Sequence, residues 1–209
     1  MLYLAPCFFD KQAMQYIDKI LKLVRTGYIK TKYSHANFIR RRYNQFIFNV
    51  DCSGLVEFWL SKRHPKALAE VYDFVYQNRQ VPEEAIKRLY SFDFYDFFAS
   101  LKSSSCWQTV TTSANLKRGD IIAFINPHKK GRFGHVAIVD KEISRDKQKI
   151  VVKIIDSSQI EHISDYRQSS KKGIGCGIIE LYIEKSSITQ VSYCLGQIKP
   201  RLIQIARLL

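Results

Sequence analysis

The sequence predicts an α+β fold in which N-terminal helices pack on a central antiparallel β-sheet. Two observations favour this fold. Apolar residues recur at helical spacing in the first half of the chain, whereas short apolar runs bounded by turn residues fill the second half. The chain has 209 residues, 46% of them hydrophobic, and can bury a substantial core. We therefore expect a single domain over residues 1–209.

The first half of the chain is predicted to contain four helices. They cover residues 10–25, a run that opens at Asp51-Cys52, residues 66–78 and residues 82–102. Pro65 ends the second of them, because proline cannot continue a helix. The segment 26–50 is predicted to be a basic, aromatic connection.

The second half is predicted to form strands, followed by a tail at 202–209 that fits either a strand or a short helix. The strands cover residues 121–125, 135–139, 150–155, 174–183 and 188–195. Three glycines, Gly173, Gly175 and Gly177, are expected to mark bends or bulges.

A cysteine lies at the predicted start of the second helix. Asp51 precedes Cys52, and a helix start offers the positive end of the dipole and free backbone N–H groups, which favour the reactive thiolate. Cys52 is therefore a candidate nucleophile. The alternative is a packed structural cysteine.

A hairpin is predicted to bring a histidine to a carboxylate. If the turn is centred at 145–146, His135 lies directly opposite Asp156, with Cβ atoms ~5 Å apart. The carboxylate would then orient the imidazole and leave its other nitrogen for the proton of Cys52. A one-residue bulge would replace Asp156 by Ser157, so both remain candidates for the third position.

Three segments resemble the signature blocks of the NlpC-type papain-like cysteine peptidases, a superfamily that includes CHAP-related amidases. They are Asp51-Cys52-Ser53-Gly54-Leu55, Leu116-Lys117-Arg118-Gly119-Asp120-Ile121 and Gly134-His135-Val136-Ala137-Ile138-Val139. The resemblance spans roughly residues 40–165. It implies a papain-like fold with a helical insertion at 62–110, after the nucleophile helix. It also implies Cys52 as nucleophile, His135 as base and Asp156 as the third polar residue.

The same resemblance suggests substrate-binding residues. Asp51 and Ser53 correspond to family residues that bind the free amino group of the substrate, although Asp51 is equally a candidate helix cap. The tyrosine that usually precedes the cysteine is missing from its place, and Tyr43, with Tyr33 as the other candidate, stands in for it.

These observations predict a cysteine peptidase or amidase that hydrolyses peptide or isopeptide bonds through a Cys-His-Asp triad. The resemblance implies bacterial peptidoglycan fragments as substrates, cleaved between D-glutamate and a diamino acid. One alternative is acyl or amide chemistry on a lipid or a host protein with the same dyad. Another is a non-catalytic basic binding module on a retired peptidase scaffold, carried by Arg40-Arg41-Arg42 and by Lys129, Lys130 and Arg132.

Charge and cysteine content set further expectations. The net charge of +14 predicts attraction to an anionic polymer or surface, without a motif for specific nucleic-acid binding. Five scattered cysteines fit neither a disulfide framework nor a zinc site, so we expect no metal and no cofactor. The sequence predicts no transmembrane segment and no signal peptide. We therefore expect a cytoplasmic protein, with secretion by a signal-independent route as the alternative.

Overall fold

A computed structural model describes residues 11–43, 45–80, 83–102, 104–111, 115–128, 133–167, 172–185, 187–193 and 197–209. These residues form four α-helices, one short 3₁₀ helix and eleven β-strands. The α-helices are α1 (Lys11–Arg25), α2 (Cys52–Arg63), α3 (Pro65–Arg79) and α4 (Ser91–Ser100), and the 3₁₀ helix is Glu83–Ala85.

The strands form two sheets. In chain order they are β1 (Ile29–Lys32), β2 (Phe38–Arg42), β3 (Gln45–Asn49), β4 (Trp107–Thr109), β5 (Ile121–Ile125), β6 (Gly134–Arg145), β7 (Lys149–Ser158), β8 (Gly173–Glu184), β9 (Ser187–Ser192), β10 (Ile198–Pro200) and β11 (Leu202–Leu208). The small sheet has the order β1-β3-β2, with β1 parallel to β3. The large antiparallel sheet has the order β10-β9-β8-β7-β6-β5-β11-β4 and curls into a half-barrel.

The prediction of a papain-like α+β fold with helices on a central sheet is wrong. Strands occupy 41% of the structure and helices 29%, so the molecule is mostly β. The segment 26–50 accounts for much of the difference, because it forms the small sheet instead of a connection. Its strands bury Ile29 and Phe48 and leave the three arginines of β2 exposed. The small sheet is therefore amphipathic, although the composition of its segment is basic.

The region expected to be a helical insertion is helical only in part. The predicted helix over 82–102 is replaced by the 3₁₀ helix, a non-helical stretch and α4. Tyr90 caps α4, since its backbone N–H donates to Asp93 Oδ2 at 2.7 Å. Phe94 and Phe98 of α4 are buried, Phe94 contacts Phe98, and Phe98 contacts Trp107, so the aromatic cluster belongs to the core.

The large sheet is covered on both faces. Val136 and Ile138 belong to the apolar cluster that includes the helices, whereas Ala137 and Val139 belong to a second cluster. Alternate residues of a strand point to opposite faces, so the two clusters lie on the two sides of the sheet. Helix α2 packs against β6 and β7, which brings its first residue to the strands that carry the predicted histidine and carboxylate.

No helix in the described part of the chain is both long and apolar enough to cross a membrane.

Candidate active site

Cys52 is the first residue of α2, as the sequence predicts. Asp51 is the N-cap, and its Oδ1 accepts hydrogen bonds from the Gly54 N–H at 2.8 Å and from the Ser53 hydroxyl at 3.1 Å. This cap fixes the helix start, where free N–H groups and the dipole favour negative charge on sulfur. Cys52 is a free thiol and only 5% exposed.

His135 contacts both Cys52 and Asp156. Its Nε2 lies 2.6 Å from Asp156 Oδ2, and its ring also hydrogen-bonds the Cys52 side chain. Because Nε2 is engaged with the carboxylate, the contact with Cys52 falls to Nδ1. The structure therefore brings together the three residues that the sequence assigned to nucleophile, base and orienting group.

The hairpin register differs from the prediction by two residues. Strands β6 and β7 pair Ile138 with Ile155, whereas a turn centred at 145–146 would pair it with Lys153. The actual turn lies further along the chain, and two β-bulges in β6 then shift the register back. His135 and Asp156 are consequently diagonal neighbours, but an even displacement leaves both side chains on the same face.

Asp156 is fully buried and is bound by two further side chains. His162 Nε2 lies 2.7 Å from Asp156 Oδ2, and Arg167 Nη2 forms an ion pair with Asp156 Oδ1 at 2.8 Å. Burial disfavours the carboxylate, but His162, Arg167 and His135 outweigh it and hold the pKa of Asp156 well below its usual range. Asp156 is therefore a permanent anion beside the base.

His162 and Arg167 reach Asp156 because two positions of β8 lack side chains. A Cβ on Gly175, which pairs with Asp156, would lie 2.4 Å from Arg167 Nε. A Cβ on Gly177 would lie 2.6 Å from His162 Cβ. The expected bends or bulges do not occur here, because β7 and β8 pair without a register shift. The glycines instead let the β7–β8 connection lie close over the sheet.

The same connection is held in shape by a second carboxylate. Asp165 accepts hydrogen bonds from the backbone N–H of His162 at 3.0 Å and from Arg167 Nε at 2.7 Å. Sequence reasoning missed His162 and Arg167, since neither lies in a motif. The Gly-x-Gly pattern on the strand opposite Asp156 was the signal that something packs there.

His135 is held in its charged form. Burial opposes the imidazolium, but the negative charges of Cys52 and Asp156 and the hydrogen bonds to both outweigh burial and raise the pKa of His135 to about 10. Protonated His135 can therefore donate a hydrogen bond to each of these two neighbours.

Ser157, the other candidate for the third position, serves a different purpose. Its hydroxyl donates to the Val50 carbonyl at 2.6 Å and ties β7 to the residues before α2.

The predicted substrate-binding residues do not share one environment. Asp51 and Ser53 are buried, and both contact Arg88, which pairs with Asp51 Oδ2 and lies 3.1 Å from Ser53 Oγ. Burial disfavours the carboxylate, but Arg88, the Gly54 N–H and His35 lower the pKa of Asp51. Tyr43 is 86% exposed at the end of β2.

A cavity of about 370 Å³ opens beside His135. Tyr33, Phe124, His162 and Tyr193 contribute to its wall, and Lys199 and Arg201 line it from the C-terminal strands. Of the two tyrosines considered from the sequence, Tyr33 lines this cavity and Tyr43 does not.

His135, Asp156 and His162 are also a group whose donor atoms lie within 4.8 Å of one another. Their mutual contacts of 2.6 and 2.7 Å are hydrogen-bond distances to one oxygen, Asp156 Oδ2. The atoms that could bind a metal are therefore already used in the hydrogen bonds that hold His135 in place.

The remaining described cysteines differ from Cys52. Cys176 is free and buried, and burial raises the pKa of its thiol to about 12. Cys106 is disulfide-bonded, so the molecule contains both free thiols and a disulfide.

No family model, no curated protein and no solved structure matches this chain.

Proposed function

We propose that the chain is a thiol-dependent hydrolase of amide bonds, with Cys52 as nucleophile, His135 as base and acid, and Asp156 as the orienting anion. The observation that carries the proposal is the continuous contact from Cys52 through His135 to Asp156. A nucleophile, a base within hydrogen-bond reach and a third group that orients the base are the parts that covalent acyl transfer requires.

The first half of the reaction forms an acyl-enzyme. The Cys52 thiolate attacks the carbonyl carbon, and the backbone N–H of Cys52 at the start of α2 donates to the developing oxyanion. His135 then gives its Nδ1 proton to the leaving nitrogen, the C–N bond breaks, and the amine departs. Cys52 remains as a thioester.

The second half restores the enzyme. Neutral His135 takes a proton from water, the hydroxide attacks the thioester carbonyl, and the C–S bond breaks to release a carboxylic acid. Asp156 stays ionised throughout, because His162 and Arg167 stabilise its charge. Its role is to orient the imidazole and stabilise the imidazolium.

The substrate class is a second part of the proposal. Peptide or isopeptide bonds, including those of peptidoglycan fragments, are favoured by the three sequence blocks around Cys52, Gly119 and His135. The basic strand β2 and the net charge of +14 favour anionic surroundings for the reaction.

Thiol labelling tests the proposal without a known substrate. We expect iodoacetamide at pH 6 to modify Cys52 at least ~100 times faster than Cys176, because thiolate is the reacting form. Mass spectrometry of the digested protein locates the label. His135→Ala should slow labelling of Cys52, and Cys176→Ala is the matched control that should leave it unchanged.

Turnover is then measured on a library of peptides and peptidoglycan fragments. Cys52→Ala should abolish hydrolysis while thermal unfolding remains cooperative. A Cys52 that reacts no faster than Cys176 in the native protein, or hydrolysis that survives in Cys52→Ala, would refute the proposal. A labelled Cys52 with no hydrolysis of any amide would instead favour the lipid or host-protein acyl chemistry named above.

A further inference from the structure

Two cationic side chains, Lys199 and Arg201, line the cavity beside His135. Arg201 contacts the Pro200 carbonyl at 2.7 Å and hydrogen-bonds Tyr193, and both partners are neutral. Within the described ranges, neither cation forms an ion pair with a carboxylate. Other buried or half-buried arginines here do so, as Arg167 does with Asp165 and Arg207 with Asp120.

A buried ring nitrogen on the same cavity also lacks a partner. His162 is 5% exposed and lines the cavity, and its Nδ1 has no hydrogen bond among the described residues. Its Nε2 is already engaged with Asp156. Unpaired buried polar atoms are costly, and in the tautomer whose Nε2 donates to Asp156 the Nδ1 atom is an acceptor that an N–H group of a ligand would satisfy.

The position of the cavity decides which part of a substrate it receives. His135 must give its proton to the leaving nitrogen, so that nitrogen and the fragment attached to it lie on the His135 side of Cys52. The cavity is lined by His135 and not by Cys52. It therefore lies on the side of the departing amine.

We infer that this cavity binds a carboxylate on the amine-side fragment of the substrate, with Lys199 and Arg201 as its cationic partners. Guanidinium and ammonium groups are the side chains that recognise carboxylates in proteins. The preferred substrates would then be peptides cleaved close to a free carboxylate, which release an amino acid or a short acidic fragment. This inference rests on the proposed function and specifies the substrate of the same site.

The inference is tested with two electrophiles that differ only in charge, bromoacetyl-glycine and bromoacetyl-glycinamide. Each alkylates a thiol with loss of bromide, and each carries its terminal group a few bonds beyond the reacting carbon. We expect the carboxylate form to label wild-type Cys52 about tenfold faster than the amide, since a charged hydrogen bond contributes ~1.5–3 kcal/mol. In Lys199→Gln/Arg201→Gln the ratio of the two rates should fall to about one.

The ratio of the two labelling rates is insensitive to changes in the general reactivity of the Cys52 thiol. A control variant that loses the same net charge elsewhere accounts for long-range electrostatic effects. Arg40→Gln/Arg41→Gln loses the same charge from the exposed face of β2 and should keep the wild-type ratio. A rate ratio near one in the wild type, or an equal fall of the ratio in both double variants, would overturn the inference. Fast labelling of Cys52 by the amide reagent would in that case still support the proposed function. Failure of both reagents to label Cys52 would overturn the proposed function itself.

Discussion

Gly175 lies directly across from Asp156 in the β7–β8 pairing, and the space left by its missing side chain is where Arg167 passes to reach the carboxylate. Asp156 can therefore bind Arg167 because the neighbouring strand has a glycine at this position. This relationship makes the site sensitive to a methyl group that would never touch Cys52 or His135.

Gly175→Ala should destabilise the protein by about 1–3 kcal/mol, because its Cβ would overlap Arg167 and the displaced guanidinium would leave Asp156. Urea unfolding measures the loss. Arg167→Ala removes the overlapping side chain, so Gly175→Ala should cost much less in that background. Equal costs in both backgrounds would contradict the contact.

Asp156→Asn should be more damaging than Ser157→Ala. The amide removes one of the two carboxylates that buried Arg167 contacts, Asp165 being the other, and losing a partner of a buried ion pair costs about 3–5 kcal/mol. Labelling of Cys52 at pH 6 should slow, since the imidazolium of His135 loses its partner. Ser157→Ala loses one hydrogen bond to Val50, worth about 1 kcal/mol, and should keep fast labelling.

If Asp156→Asn fails to fold, Asp156→Asn/Arg167→Met removes the buried cation as well and should recover part of the stability but not labelling, since Asp165 keeps its backbone N–H donors from His162 and Arg167. Fast labelling at pH 6 in the folded double variant would argue against Asp156 as the orienting group.

The ionisation of Asp156 and that of His135 should make the free energy of unfolding depend on pH in opposite senses. The pKa of Asp156 is lowered below 3.8, so its contribution is present above about pH 4 and is lost as the pH falls through the folded value. The pKa of His135 is raised from 6.5 to about 10, so its contribution is full below 6.5 and is lost as the pH rises through 10.

The two contributions coincide between about pH 4 and 6.5. Free energies of unfolding across pH 3–10 check this window. The difference between wild type and His135→Gln should shrink above pH 6.5, and a constant difference up to pH 10 would show that the charged form of His135 is not favoured.

Asp51 offers a test that separates its cap from a role in binding substrate. Asp51→Asn keeps a good N-cap and should cost little from that source, whereas Asp51→Ala should cost about 1 kcal/mol more. Both lose the ion pair with Arg88. If Asp51 binds the amino group of the substrate, both variants should raise KM for substrates with a free amine, and N-acetylated substrates serve as the control.

Local patterns predicted most of the large sheet. The strand predicted over 121–125 is confirmed as β5, and the next three are confirmed with longer bounds. The strand predicted over 188–195 corresponds to β9 (Ser187–Ser192), and residues 194 and 195 lie outside the described residues. Helix α1 and the start of α2 are confirmed as well, because capping and apolar periodicity are local signals. The small sheet was missed because Arg40, Arg41 and Arg42 are consecutive exposed residues, so β2 lacks the apolar–polar alternation that identifies a strand.

The site was predictable only as far as it lies on regular elements. Cys52, His135 and Asp156 are at a helix start and on neighbouring strands, where spacing restricts position. His162 and Arg167 arrive from the connection between β7 and β8, and their positions depend on contacts with Asp165 and Gly175 that are distant from any periodic pattern. No local pattern indicated the two bulges in β6 either. The prediction still identified Asp156, because two one-residue shifts add up to an even number and keep His135 on the same face of the sheet as Asp156.

Those bulges show where this hairpin can change in length. Each is one extra residue of β6 without a partner of its own on β7, so deleting it would keep the pairs on either side and leave His135 on the face that carries Asp156. Deleting one residue between His135 and Ile138, where the pairing is regular, would instead turn His135 toward the face that carries Ser157, and the base would lose its anion although every catalytic side chain remained in the sequence.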